Sequence, residues 1–394
     1  MTLVLDNRAE LKGKPGLHAF LAGVSHYRHL LDGSGVPGTN TYDLNQLSAA
    51  ATSASQFYEW LKSRSEHLAA PLATVRLLLS PSRNEITDPT VAPCTWSNFV
   101  EEANRWRNDA SVSDDDVTLF YFAGHGIIRD KADSVLLCDD FAQPFHGPLP
   151  NVVAFLNMFA GMAPPADTTL RRARRQFYFI DACKEFPERL KELEKIEIAP
   201  VFESELSGTD DRVAPVFNAA ISGSKAYSIT GKQTLFSIAL LDCLNGLAGE
   251  ATPENDDGNV AWHVTTFSLT KGLDFRMAEL NQRYGTNQRC QLAGMPGESP
   301  IHYLDGPPEV EGILKVIPED AKGLINIEVR NLKQTTVWRP SSETLYPYRR
   351  SLTAGTYSVK STIREPPKPP YVDHTSDPKP VMPPNFVLRA RTLP

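Results

Sequence analysis

An α/β sandwich on a mostly parallel sheet, followed by a small all-β domain, is the fold class that this sequence predicts, and three observations predict it. Apolar runs alternate with segments of helical period as far as about residue 305. Those runs are continuous, as expected of strands covered on both faces, where a half-exposed strand would alternate. After Pro307-Pro308 the pattern becomes short alternating runs rich in Pro, with no helical period. A chain of 394 residues, 41% of them hydrophobic, accommodates a large domain and a smaller one.

The elements follow in order. Residues 1–15 read as an N-terminal tail. LHAFLAGV, residues 17–24, is a short apolar run and so a buried strand. A Gly- and Pro-rich loop from Asp32 to Thr41 follows. Residues 44–61 carry Leu44, Leu47, Ala50, Ala51, Ala54, Phe57, Tyr58 and Leu61 at helical spacing on one face. ATVRLLL at 73–79 reads as the second strand, Thr95 to Asn108 as a helix, and VTLFYFAGHG, after the turn Ser111–Asp116, as the third strand. SVLLCDD at 134–140 is extended, VVAFLNMF at 152–159 helical, and RQFYFIDAC at 175–183 a fourth buried strand. Beyond a charged stretch at 184–212, VAPVFNAAIS is a fifth strand, LFSIALLDCLNGL a helix ending near Gly246, and 267–284 a further helix. The tail end, 308–394, reads as a β-sandwich of immunoglobulin-like or transthyretin-like type, with 365–384 as a long loop.

Charge and cysteine usage exclude several classes. A net charge of −7 leaves no global positive field for nucleic acid. The basic cluster Arg171, Arg172, Arg174 and Arg175 reads as a solvated loop before a strand. Five cysteines without a CxxC pair fit neither a disulfide framework nor a zinc site of usual spacing. No eighteen-residue apolar run and no basic-then-apolar leader occur, so the expectation is a cytoplasmic protein with no membrane contact, in a compartment that keeps thiols reduced. His26 and His29 stand at i,i+3 without acidic or thiol partners, so no metal is expected there, and DGSGVPG lacks the Lys-Ser/Thr of a phosphate loop. Cys94, Cys138, Cys243 and Cys290 read as small core or surface residues.

Two motifs end apolar strands: FYFAGHG, with His125, and FYFIDAC, with Cys183. The carboxyl edge of an open α/β sheet is where functional groups collect. A thiol and an imidazole meeting there make a nucleophile and its proton shuttle. Gly124 and Gly126 let the chain turn and a substrate approach closely. The N–H groups of Gly126 and Cys183 are the candidate oxyanion donors.

In that order and setting, His125-Gly126 and Asp181-Ala182-Cys183 resemble the caspase, metacaspase and orthocaspase superfamily, peptidase family C14. A caspase places its His about 50 residues before its Cys; here the gap is 183 − 125, or 58. GLHAFLAGVSHYRHL is similar to the family's first strand and loop, LNQLSAAATSASQFYEWL to its first helix, and AAISGSKAYS with LFSIALLDCLNG to the start of the small-subunit half. The resemblance covers roughly residues 16–305. It implies a caspase-like three-layer sandwich with a large-subunit half to about 183, a linker at 184–212 and a small-subunit half at 213–305.

It further implies a cysteine endopeptidase acting on proteins, of a bacterial type with regulatory or defence roles. The pocket would be Asp181 with Ser222, Gly223 and Ser224, taking Arg or Lys at the cleaved position. Cleavage in the linker, in cis or by an activating protease, would fall at Arg189, Lys191, Lys195 or Arg212. Asp210 and Asp211 lie where metacaspases can carry calcium-binding carboxylates; no other cofactor is implied. The departures are specific. Lys184 follows the Cys where metacaspases usually have His, Ala182 replaces their Ser, and Ser53 stands where their second acid is expected, leaving Asp43 as a substitute. A different class of function fits the same chain: a catalytically silent caspase-fold scaffold that works through its β module.

Overall fold

Continuous runs of aromatic and β-branched residues build the central sheet. β2 (Leu17–Val24), β3 (Leu72–Ser80) and β4 (Val117–Gly124) are buried at every position, and β8 (Arg175–Ala182) at all but its first. With β9 (Ala214–Asn218) they run parallel. β1 (Leu3–Asp6) and β12 (Gln291–Met295) close the two edges antiparallel, in the order β1-β3-β2-β4-β8-β9-β12. The computed structural model describes residues 1–129, 134–167, 169–184, 196–203, 205–253, 260–341, 345–364 and 370–392. These fall into two compact units, Met1–Leu241 with Leu273–His302, and Asp242–Gly272 with Tyr303–Pro394.

Adjacent strand residues point to opposite faces, and this sorts the helices into layers. A single turn of helix, α1 (Arg8–Leu11), follows the edge strand β1. α2 (Ala50–Ser63) sets Phe57 against Tyr121 and Phe179, ring centroids 4.9 and 5.7 Å away. α3 (Trp96–Asp109) sets Phe99 and Trp106 against Phe20 and Phe120, on the other face. The result is the three-layer α/β sandwich that the apolar runs predict. A Cβ on Gly23 would meet the Ala50 carbonyl at 2.7 Å, so glycine is what lets α2 start this close to β2. The Ser25 hydroxyl then accepts from the N–H groups of Ala50 and Ala51, satisfying two orphan donors of the first turn.

After β4 the chain makes a small antiparallel sheet of β5 (Gly126–Ile128), β6 (Ser134–Leu137) and β7 (Val152–Ala154), leading into α4 (Phe155–Gly161). α5 (Leu235–Asp242) and α6 (Thr266–Tyr284) follow β9, with the short pair β10 (Glu250–Ala251) and β11 (Trp262–Thr265) between them. β13 (Pro300–Leu304) adds a third strand beside β11.

Several boundaries differ from the sequence expectation. Residues 3–6 are a sheet edge, not a tail. The first helix starts at Ala50, because the preceding residues Asn45 and Leu47 give backbone groups to other segments. Residues 152–154 pair as a strand before the helix begins. The fifth strand ends at Asn218. The helix after Thr234 does end near Gly246 as expected, its last turn a π turn at Cys243–Leu247, where Gly246 takes φ 126°.

In the second unit, β14 (Glu309–Ile317) lies between β17 (Tyr348–Thr353) and β21 (Phe386–Arg391). β15 (Ile325–Asn331) lies between β16 (Thr336–Trp338) and β18 (Gly355–Ile363), and β18 also pairs β19 (His374–Thr375) and β20 (Lys379–Val381). Every second residue turns inward, as Val310, Leu314 and Val316 or Phe386, Leu388 and Ala390 do, so the two sheets enclose one apolar core. Trp262, from the 242–272 segment, belongs to that core.

Candidate active site

The parallel register of β4 and β8 ends on the pair Gly124 and Ala182. His125 and Cys183 are the next residues of each strand, so the two strand ends present them side by side at the carboxyl edge. His125 is 8% exposed. Its backbone N–H donates to the buried Tyr27 hydroxyl at 2.7 Å, and its ring lies 4.9 Å from the Tyr27 ring. Its Nε2 donates to the Asn45 carbonyl at 2.7 Å, which fixes the tautomer and leaves Nδ1 as the basic nitrogen of a neutral imidazole.

Cys183 is half-buried. The Ala226 N–H donates to its Sγ at 3.2 Å, and the Ala226 carbonyl lies 3.7 Å from it. The next residue, Lys184, exchanges backbone bonds with the segment after β9: its N–H reaches the Ser224 carbonyl at 3.1 Å, and its carbonyl accepts from Gly223 at 2.6 Å. Ser222, Gly223 and Ser224 thereby form a turn walling one side of Cys183, with Ser224 N–H and hydroxyl both on the Ile221 carbonyl. Burial lowers the Lys184 ammonium pKa from its ordinary value. A Cβ on Gly126 would meet the Cys183 carbonyl at 2.7 Å and Ala182 Cβ at 2.9 Å, so glycine permits the close approach of the two strand ends.

Asp181 shares a strand face with Cys183, two residues on. It is 2% exposed, and burial pushes its carboxyl up to about 7, against hydrogen bonds that favour its charge. Oδ2 accepts from Tyr121 at 2.9 Å and from the Thr234 hydroxyl, whereas Oδ1 has no hydrogen-bond partner among the described residues. Ser53 completes the cluster: its hydroxyl accepts from Thr234 N–H at 3.1 Å and donates to the Ala49 carbonyl at 2.8 Å. Where the family resemblance implies a second acid, a neutral hydroxyl supports Asp181 through Thr234. Asp43 lies in the loop that precedes α2. Sequence reasoning does not find Tyr121 or Thr234. Thr234 carries a signal all the same, since it stands just before an apolar helix and its hydroxyl accepts from Ser237 N–H as an N-cap does.

The linker differs from expectation where it is described. Arg212 is 4% exposed, bound to Asp210 at 2.8 Å, to the Phe159 carbonyl and to Gln176, so it is no accessible cut point. Arg189, Lys191 and Lys195 lie outside the described residues. Asp210 is taken up by Arg212 and Asp211 by Arg174, and no group of three or more His, Cys, Asp or Glu is placed for a metal among the described residues. Of the basic cluster, Arg172 is buried against Glu205 rather than solvated. No helix among the described residues is long and apolar enough to cross a membrane.

An uncharacterised protein of Sinorhizobium fredii, y4kE, is 26% identical over 310 residues, 74% of this chain and 83% of that protein. The crystal structure of protein GSU0716 from Geobacter sulfurreducens aligns over 72% of this chain and 95% of its own, at 12% identity and a TM-score of 0.41. The family model of the caspase domain, Peptidase_C14, matches residues 19–265, more than half of the chain and the whole stretch that carries His125, Asp181 and Cys183. The chain belongs to the caspase-like C14 peptidase family.

Proposed function

We infer that this chain is a cysteine endopeptidase that uses His125 and Cys183 to cut proteins after Arg or Lys. The observation that carries the reading is the register of β4 and β8, which brings a thiol and an imidazole to adjacent strand ends, with the imidazole oriented by the Asn45 carbonyl. In this reading Nδ1 of His125 takes the Cys183 proton and the sulfur adds to the scissile carbonyl carbon. The oxygen becomes an oxyanion facing the N–H groups of Gly126 and Cys183. Collapse breaks the C–N bond, and the imidazolium returns its proton to the leaving amine. Water then adds to the thioester, with His125 as base, and the acid product leaves while the thiol is restored. The Ala226 segment, hydrogen-bonded to the sulfur, has to give way or realign as the substrate enters.

A carboxylate at Asp181, beneath the same face as the thiol, is the partner that a guanidinium or ammonium wants at the cleaved position. Activation by a cut in the linker and a regulatory role belong to the same reading; with Arg212 buried, the cut would fall among the residues before 196. Cys183→Ala or His125→Ala should lower cleavage of Arg-containing peptides by at least about 10³ with the circular dichroism spectrum and melting temperature unchanged. Turnover by either variant close to that of the unaltered chain would sink the reading.

A further inference from the structure

Beside the strand ends that carry the dyad, a cleft of about 380 Å³ is lined by His26, Arg28, Ser80, Asp88, Pro93 and Asp139, among others. Its place follows from the sheet. Ser80 is the last residue of β3 and His26 lies just past β2, and in the order β3-β2-β4-β8-β9 these strands lie beyond β4. The cleft is therefore at the carboxyl edge on the His125 side, opposite to Cys183 and the 222–226 wall. Tyr27, between His26 and Arg28, holds the His125 N–H, so the wall of the cleft is tied directly to the histidine.

This inference rests on the peptidase reading. With the acyl part of a substrate over Cys183 and Asp181, the amine that leaves is protonated at His125, and the residues after the cut run on toward β2 and β3. Two carboxylates, Asp88 and Asp139, line the cleft. Asp139 is 2% exposed; its Oδ2 accepts from Ser80 at 2.8 Å, while Oδ1 accepts no hydrogen bond among the described residues, although Arg28 Nε is 3.3 Å from it as an ion pair. Asp88 faces the same space, its carboxyl held below the usual range by hydrogen bonds from Thr90. His26 is kept toward neutrality by burial, so Arg28 is the one cation against two carboxylates among the lining residues, while Arg83 acts on His26 and the N-terminal ammonium on Asp88 from outside the lining. Burial raises the Asp139 carboxyl, and a second cation would favour its charged form.

We propose that this cleft is a subsite for the leaving side of the substrate, taking a Lys or Arg among the first residues after the cut through Asp139.

The test uses the full chain carrying Cys183→Ala and labelled peptides identical up to the cut, with Lys, Ala or Glu after it, read by fluorescence anisotropy. Lys should bind about tenfold more tightly than Ala and Glu more weakly, the scale of one hydrogen bond to a charged group. Adding Asp139→Asn should erase the preference. Because Asp139 also holds Ser80, Arg28→Ala serves as a second variant; it leaves the cleft's carboxylate in place and should strengthen the Lys preference. The same ratio should survive when the residue before the cut is changed to Ala, which separates this site from the Asp181 pocket. Equal binding of Lys, Ala and Glu peptides, or a preference for Lys lost in Arg28→Ala, overturns the subsite while the dyad test stands on its own. Absence of binding by every peptide, in the intact chain and after a cut in the linker alike, overturns both.

Discussion

At the scale of single residues, Asp181 carries the most testable chemistry. Its carboxyl rises from an ordinary 3.8 to about 7 because burial costs the charged form more than Tyr121 and Thr234 return. The folded chain thus keeps a proton that the unfolded chain gives up near its ordinary value. This contribution to stability is complete below that value and is lost as pH rises through about 7, on the order of 4 kcal/mol in all. Asp181→Asn should therefore lose this share of the stability decline between about pH 4 and 7, as urea midpoints across that range would show. In the proposed reading the same ionisation acts on a basic substrate: kcat/KM for Arg peptides should climb more steeply with pH through about 7 than kcat/KM for peptides with an uncharged residue at the cut. In the Asn variant only the rise that belongs to the dyad should remain, the same for Arg peptides as for peptides with an uncharged residue at the cut, and cleavage of Arg peptides should be lower by the roughly 2–5 kcal/mol of a broken buried charge pair. An extra climb for Arg peptides over uncharged ones that persists in the variant would show that Asp181 is not the titrating group.

At the scale of elements, polar residues inside the sandwich decide how strands and helices lock. Arg76 of β3, 5% exposed, bonds Glu102 at 2.6 Å and Asp109 at 2.8 Å, both on α3. Removing the cation leaves two carboxylates with a lost partner, so Arg76→Ala should destabilise the unit by about 3–5 kcal/mol, whereas Arg76→Met with both acids neutralised by amides should recover most of it. Chemical denaturation of the three proteins checks this; a loss below about 1 kcal/mol would mean water replaces the guanidinium. None of this is legible in the sequence, where Arg76 interrupts ATVRLLL without any hint of its partners. What is legible are the features that local pattern determines: the continuous buried strands, and therefore the strand ends where His125 and Cys183 stand. The apolar period runs back to Leu44 and Leu47 and so places the first helix too early, while Ser25, distant in sequence, sets the true start at Ala50. The cluster around Asp181 is half legible: Asp181 by its place before Cys183, but Tyr121 and Thr234 only by the pairing of β4 with β8 and by the cap of α5.

At the scale of the whole chain, the Pro-rich boundary near residue 306 suggests a separable module of 308–394. Compactness draws the line elsewhere, since residues 242–272 belong with 303–394. The physical link is Trp262 on β11, 8% exposed within a core that includes Val310, Leu314, Tyr357 and Phe386. A chain ending at Asp305 keeps Trp262 and removes the side chains that bury it. Losing the packing of a large aromatic costs about 3–5 kcal/mol, so the segment 260–272 should lose its protection in the truncated protein. Limited proteolysis with mass-spectrometric readout should find cuts within 260–272 in the truncated chain and none there in the full one. Calorimetry should show the transition that includes this segment lowered on the order of 10 °C. The same packing sets what a β unit needs in order to fold alone, namely residues 242–272 joined to 303–394. Residues 308–394 by themselves should expose the apolar patch that Trp262 covers and bind a hydrophobic dye. Equal melting and equal resistance of the truncated and full chains would mean that Trp262 contributes nothing to holding its segment in place.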